Sequence, residues 1–203
     1  MKLYYKPGAC SLASHIVLQE IGNRFEIEKV DTDTGLTETG ADYLQVNAKG
    51  YVPALDLDGA GVLTEGPAIL QFLADSAPQA QLAPPIGTVE RAKMLEQLTF
   101  VSSELHKAFS PLFSAQASET DQERAKEQVA VKFTQVEAVL ADARETLVPG
   151  HFGIADIYLF VVANWANFKG IALSDWPYLQ AFLARVSKRA SVERAMKAEG
   201  LLA

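Results

Sequence analysis

The fold is decided by residues 2–21, which read KLYYKPGACSLASHIVLQEI. Lys2–Lys6 has the composition of a short strand, and the Pro-Gly pair that follows breaks it. From Ser11 to Ile21 the apolar residues recur at helical spacing. A strand, a break and a helix in this order predict an α/β module with Cys10 at the junction.

The same alternation of short elements continues as far as a third helical segment. The predicted elements are a strand at Phe25–Val30, a loop at Asp31–Gly40, a short helix at Ala41–Val46, a hairpin of Ala54–Leu57 with Val62–Thr64, and a helix at Pro67–Asp75. A proline suits the first turn of a helix, where its missing N–H is no loss. The predicted order of this module is therefore βαβαββα.

Strand alternation stops after a proline-bearing stretch that ends in Pro84 and Pro85. We therefore expect one domain over residues 1–78, a linker over 79–87 and an all-helical bundle over 88–203. The predicted helices of the second domain are Val89–Phe113, Gln122–Leu147, Ala155–Phe168, Tyr178–Arg189 and Val192–Glu199.

Composition narrows the class of protein. The 203 residues carry a net charge of −7, which argues against a nucleic-acid surface. A single cysteine excludes an intramolecular disulfide and suits a reducing compartment. No stretch approaches the roughly 20 apolar residues that a membrane helix requires. These features predict a soluble, cytoplasmic protein.

Cys10 is the first candidate for chemistry. At the start of a helix, free N–H groups and the helix dipole favour a thiolate, whether it belongs to the cysteine or to a ligand. The alternative is a small buried apolar side chain, which is the commonest fate of a lone cysteine.

Two further candidates lie at the ends of predicted elements. A cis bond between Val52 and Pro53 would present the Val52 backbone to an extended peptide, although trans is the ordinary form of such a bond. Glu65 and Gly66 open the third helix, where a carboxylate and free N–H groups suit an amino-acid-like group. The alternative for Glu65 is an acid that only complements the helix dipole.

A polar stripe runs along the long predicted helix. Thr99, Ser103, His106 and Ser110 recur at 4-3-4 spacing beside the apolar residues. This stripe would suit a wall facing the other domain, with His106 donating to a bound sulfur or titrating near neutral pH. The alternative is a solvated helix face.

Several segments together resemble the bacterial beta-class glutathione S-transferases. They are KLYYKPGACSL at residues 2–12, NAKGYVPAL at 47–55, LTEGPAI at 63–69, ELHK at 104–107, SPLF at 110–113 and KAEGL at 197–201. The resemblance spans nearly the whole chain in order, and an ordered set is far more specific than any one segment.

The resemblance implies a thioredoxin-like first domain, a helical second domain and a homodimer. Glutathione, as co-substrate, would bind between the domains, and its sulfur would be conjugated to hydrophobic electrophiles in detoxification, with no metal. The resemblance implies catalytic roles for Cys10 and His106, and glutathione contacts from Cys10, Val52, Pro53 (after a cis bond), Glu65, Gly66, Thr99, Ser103, His106 and Lys107.

Two residues depart from the pattern of that family. Gly35 stands where the beta class usually has a lysine that meets the glycyl carboxylate, and Thr99 stands where asparagine is usual. Losing one exposed charged contact costs roughly 1 kcal/mol. We therefore expect weaker glutathione binding than is typical.

Other activities stay open. Cys10 itself could attack a disulfide or hydroperoxide, with glutathione resolving the product. The chain could also be a non-catalytic carrier of hydrophobic ligands. Phe109, Phe113 and Trp165 are the candidates for an electrophile pocket, and they can equally belong to the core.

Overall fold

A five-stranded mixed sheet organises the first part of the chain. The computed structural model describes Met1–Leu202. The strands are β1 Lys2–Tyr5, β2 Glu26–Asp31, β3 Leu36–Thr37, β4 Ala54–Asp56 and β5 Val62–Thr64. Their order in the sheet is β3-β2-β1-β4-β5, and only β1 and β2 pair in parallel.

Helices pack on the sheet, and their apolar faces are visible in the sequence. These are α1 Ser11–Ile21 and α2 Gly66–Ser76, with short 3₁₀ turns at Tyr43–Gln45 and Pro78–Ala80. Gly22 ends α1 at a φ of 76°, and its N–H donates to the carbonyl of Leu18. This left-handed conformation is open to glycine at little cost. The predicted order βαβαββα is found with one added strand, β3, and with the 3₁₀ turn at Tyr43–Gln45 in place of the short middle helix.

The short strand β3 was missed, because the sequence predicts a loop over Asp31–Gly40. Val30 pairs with Thr37 and Asp31 pairs with Leu36 in an antiparallel ladder. Two residues are too few for an alternating pattern to be recognised.

The remaining helices are α3 Val89–Phe100, α4 His106–Phe113, α5 Glu119–Leu140, α6 Ile154–Phe168, α7 Pro177–Val186 and α8 Ala190–Ala198. The single helix predicted over Val89–Phe113 is divided by a π-helical turn at Val101–Leu105. Helix α5 ends at Leu140 and not at Leu147, since Ala143 has a φ of 61°, a conformation that no helix interior contains.

Helix α6 begins after a glycine in the N-cap position. Gly153 has an extended backbone and donates its N–H to Asp156 Oδ2 at 2.9 Å. Asp156 Oδ1 accepts from the N–H of Leu147 at 2.8 Å, and the carboxylate is buried. The aspartate therefore fixes both the start of α6 and the segment that leads to it.

The chain forms two compact units. One contains Met1–Ala83 and the C-terminal segment that begins at Lys188, and the other contains Pro84–Ser187. Helix α8 thus packs on α1, in the unit of the sheet. The expected domains 1–78 and 88–203 follow chain order and stay a prediction. Among the described residues, no helix is both long and apolar enough to cross a membrane.

Buried and partly buried polar contacts connect the C-terminal segment to α1 and to the loop before it. Glu199 Oε1 lies 2.9 Å from His15 Nδ1, and its Oε2 accepts from the N–H of Gly8 at 2.9 Å. Arg189 and Ser191 both donate to Glu20 Oε1, at 2.8 and 2.6 Å. Because Gly8 lies two residues before Cys10, the end of the chain supports the loop that carries the cysteine.

Candidate functional site

Cys10 is the N-cap residue of α1, as the sequence predicts. Its half-buried thiol donates to the carbonyl of Val52, with Sγ 3.4 Å from the oxygen. Ser11 closes the loop before it, since its Oγ accepts from the N–H of Lys6 and donates to the carbonyl of Lys6. The structure therefore brings the cysteine and the Val52 backbone into contact.

The peptide bond between Val52 and Pro53 is cis. Two side chains fix the residue before it: Tyr43 Oη and Asn47 Nδ2 donate to the carbonyl of Tyr51 at 2.8 and 2.7 Å. Burial raises the pKa of Tyr43 to about 12, so its hydroxyl stays a donor at any ordinary pH. Neither donor was predicted from the sequence.

Glu65 stands at the start of α2 with an unusual backbone. Its φ is 69°, which is left-handed for a non-glycine residue, and its carbonyl accepts from the N–H groups of Ala68 and Ile69 at 3.0 Å each. Strained residues of this kind concentrate at functional sites. The exposed carboxylate pairs with Lys49, whose Nζ lies 2.7 Å from Oε1.

In the helical unit, His106 is enclosed by aromatic side chains. Its Nδ1 lies 2.9 Å from Tyr158 Oη, and its ring centroid lies 4.9 Å from that of Trp165. Burial, followed by the charge of Lys107, lowers the pKa of His106 to about 4. The expectation that His106 titrates near neutral pH is therefore wrong, and the imidazole is neutral at pH 7.

The π-helical turn also changes the predicted polar stripe. Thr99, Ser103 and Ser110 are exposed, whereas His106 is mostly covered. Ser103 donates its hydroxyl to the carbonyl of Thr99 at 2.9 Å, and Ser102 donates to the same oxygen at 3.0 Å. An inserted residue shifts the phase of a helix, so these four residues do not form one even polar face. Lys107 is exposed.

The three aromatic candidates for an electrophile pocket differ in exposure. Phe109 is fully buried, with Phe133 and Trp165 as ring neighbours, so it belongs to the core. Trp165 is 5% exposed and Phe113 is 52% exposed. Lys169 Nζ lies 4.1 Å from the centroid of the Phe113 ring. Phe113 is thus the aromatic candidate that can reach a ligand without rearrangement.

Gly35 has a φ of 72°, with open space around its Cα. A lysine at this position would have room but would adopt a strained backbone. Gly35 therefore allows the left-handed backbone of the turn after β2 at little cost. It also leaves this position without the positive charge that a lysine would carry.

Across Met1–Leu202, no group of three or more His, Cys, Asp or Glu side chains is arranged to hold a metal ion.

Two family models match the chain. The glutathione S-transferase N-terminal domain matches residues 8–76, and the glutathione S-transferase C-terminal domain matches residues 100–190. Glutathione S-transferase GstA of Escherichia coli O157:H7 is 44% identical over 201 residues, which cover 99% of this chain and 100% of GstA.

Solved structures agree in fold over the full length. A bacterial beta-class glutathione S-transferase of Sphingomonas chungbukensis has a TM-score of 0.96 and 46% identity, with 100% of both chains covered. A sphingomonad glutathione S-transferase complexed with glutathione has a TM-score of 0.95 and 44% identity, again with 100% of both chains covered.

The chain belongs to the glutathione S-transferase family. Its resemblance to the bacterial beta class is confirmed, as is the fold class of a thioredoxin-like module followed by an all-helical one. The predicted enzyme, a glutathione transferase with glutathione as its co-substrate, is confirmed by the same full-length similarity.

Proposed function

We propose that this transferase conjugates the sulfur of glutathione to small hydrophobic electrophiles, and that Cys10 holds that sulfur. The observation that carries the proposal is the contact of Cys10 Sγ with the Val52 carbonyl at the start of α1. The relative complexed with glutathione supports it, because it shares this fold over its whole length.

In the first unit, the backbone before Pro53 and the groups at the start of α2 are suited to binding a short peptide. We propose that the Val52 backbone, ahead of Pro53, pairs with the cysteinyl residue of glutathione as an added strand would. Glu65 would bind the ammonium of the γ-glutamyl end, and Gly66 would offer its N–H at the start of α2. The two hydrogen bonds to the Tyr51 carbonyl hold the backbone next to Val52 in position for this pairing.

In the helical unit, we propose that His106 contacts glutathione, together with Thr99, Ser103 and Lys107. When Tyr158 donates to Nδ1 of His106, Nε2 carries the proton and is the donor of a neutral imidazole. A neutral donor stabilises an anionic sulfur without taking up a proton of its own.

The reaction is a nucleophilic substitution or addition at an electrophilic centre. In the substitution, the glutathione thiol loses its proton to solvent, and the thiolate then attacks carbon. A C–S bond forms, and the leaving group departs with the electron pair of its bond. A free thiol titrates near 8.5, so a site that stabilises the anion raises the reactive fraction at pH 7. Phe113 would contact the hydrophobic electrophile, and the nearly buried Trp165, whose ring packs against that of Phe113, would support it.

A redox reaction at Cys10 is the second candidate. Cys10 at the start of α1 supports it, because free N–H groups and the helix dipole there favour a thiolate. We propose bound glutathione as the nucleophile and Cys10 as its neighbour.

A Cys10→Ala variant tests the two reactions. We expect conjugation of glutathione to a chromogenic aryl halide to keep most of its rate, while any thiol–disulfide exchange disappears. Loss of conjugation by more than about a hundredfold, with glutathione still bound in a calorimeter, would show that the Cys10 thiol is required for the chemical step and would contradict this expectation. Absence of binding heat in the wild type would favour a non-catalytic carrier.

We further propose that the protein is a cytoplasmic homodimer. Exposed apolar side chains such as Tyr51 and Phe72 in the first unit and Val131 in the helical unit offer surface for a second copy. Light scattering after gel filtration should give about twice the 22.0 kDa of one chain. A mass of one chain at micromolar concentration would contradict the dimer.

A further inference from the structure

An ion pair lies beside the proposed γ-glutamyl site. Lys49 Nζ is 2.7 Å from Glu65 Oε1 and 3.4 Å from Thr64 Oγ1. The two charged side chains are 53% and 65% exposed, so both ends can be reached by a ligand from solvent.

Both residues of this pair have fixed backbones. The N–H of Lys49 donates to Asn47 Oδ1 at 3.1 Å, and Asn47 is itself buried and bonded to the Tyr51 carbonyl. Glu65 is held by its left-handed backbone and by the first hydrogen bonds of α2. The two charges are thus presented side by side by rigid segments, while their side chains stay free to turn.

The chemistry of the pair matches one end of glutathione. The α-carbon of the γ-glutamyl residue carries an ammonium and a carboxylate, and a neighbouring carboxylate and ammonium are the complement of that zwitterion. Resting on the proposed function, we propose that Lys49 binds the α-carboxylate of glutathione while Glu65 binds its ammonium. Lys49 and Glu65 exchange their mutual contact for contacts with the ligand.

The exchange is favoured by the exposure of the pair. A surface ion pair contributes little net stability, since water screens it and two flexible side chains must be ordered. Binding replaces one such contact by two charge-assisted hydrogen bonds on a ligand that brings both charges already linked. Lys49 therefore makes binding specific for ligands whose α-carbon carries both an ammonium and a free carboxylate.

The test uses two ligands and a Lys49→Met variant in isothermal calorimetry. One ligand is glutathione, and the other is 4-aminobutyryl-cysteinyl-glycine, which lacks only the α-carboxylate. We expect the variant to bind glutathione roughly three- to tenfold more weakly than the wild type does. The variant and the wild type should bind the analogue with equal affinity. In conjugation assays the KM for glutathione should rise with kcat unchanged, and Lys49→Arg should restore most of the affinity.

Lys29→Met is the matched control, because Lys29 lies exposed on β2 and its loss changes the net charge equally. Its affinity for both ligands should equal that of the wild type. Tighter glutathione binding by Lys49→Met would mean that Lys49 only competes for Glu65, and equal weakening for both ligands would mean a general effect. Either result, or no change at all, overturns the proposal for Lys49 alone. A wild type that binds no glutathione overturns the proposed function as well.

Discussion

His106 binds its proton at different pH values in the folded and the unfolded chain. Its pKa is about 6.5 when unfolded and, through burial and the charge of Lys107, about 4 when folded. Between these values the unfolded chain binds more protons, so the free energy of unfolding falls as pH falls from about 6.5 to about 4. Below the folded pKa the effect is complete.

The expected loss from this one group is about 2–3 kcal/mol. Urea unfolding at intervals between pH 7 and pH 4 measures it, by comparison with His106→Asn, which cannot titrate there. The wild type should lose more stability than the variant over this range. Parallel curves for the two proteins would show that the folded histidine titrates normally.

Gly35→Lys should separate affinity from stability. The added charge is expected to tighten glutathione binding roughly fivefold, by restoring a contact with the glycyl carboxylate. The left-handed φ of 72° should lower the free energy of unfolding by about 1 kcal/mol. Gly35→Ala carries the strain without the charge, so it should lose stability and gain no affinity. Equal dissociation constants for Gly35→Lys and the wild type would contradict the expectation that the absence of a lysine at position 35 weakens glutathione binding.

Single residues were predictable where a local signal exists. Cys10 follows a strand and a Pro-Gly break, and Glu65 precedes a helix-starting proline, so both positions follow from the sequence. Lys49 and Tyr43 carry no such signal. Their partners Glu65 and Tyr51 become neighbours only through tertiary packing.

At the scale of elements, the apolar periodicity placed most helices well but could not show the π-helical turn. Apolar residues at spacings of three and four stay compatible with one inserted residue, and the insertion shows only in the hydrogen bonds of Val101–Leu105. The end of α5 was also missed, because Leu147 is buried as a helix residue would be, although it lies in the connecting segment.

The start of α6 depends on one buried carboxylate. Asp156→Ala would leave the N–H groups of Leu147 and Gly153 without their acceptor, in a place that water does not reach. We expect a loss of about 3 kcal/mol in the free energy of unfolding. Asp121→Ala, at the corresponding position of the exposed capping box of α5, should lose much less in the same chemical denaturation. Similar losses would show that burial of Asp156 is unimportant.

At the scale of the whole molecule, Glu199 connects the end of the chain to the cysteine loop. Glu199→Ala removes a buried acceptor from His15 and from the N–H of Gly8, so we expect a loss of about 3 kcal/mol and a clear fall in melting temperature. Glu193→Ala, on the exposed face of α8, is the control and should be near neutral. An unchanged melting temperature for Glu199→Ala would contradict this support role.

The family could be recognised from the sequence alone. The packing of α8 on α1, in the unit of the sheet, could not. The apolar residues of Val192–Glu199 show that one face of this helix is covered. They do not show which surface covers it. That information lies in pairs such as His15 with Glu199, which are separated by nearly the whole sequence.

During synthesis on a ribosome, α1 emerges long before the segment that covers it. Translation proceeds at about 5–20 residues per second, so the sheet waits roughly 5–20 s while Pro84–Ser187 is made. Over that interval the surface of α1 that receives α8 faces solvent or a chaperone. The first unit to be translated is thus the last to be completed.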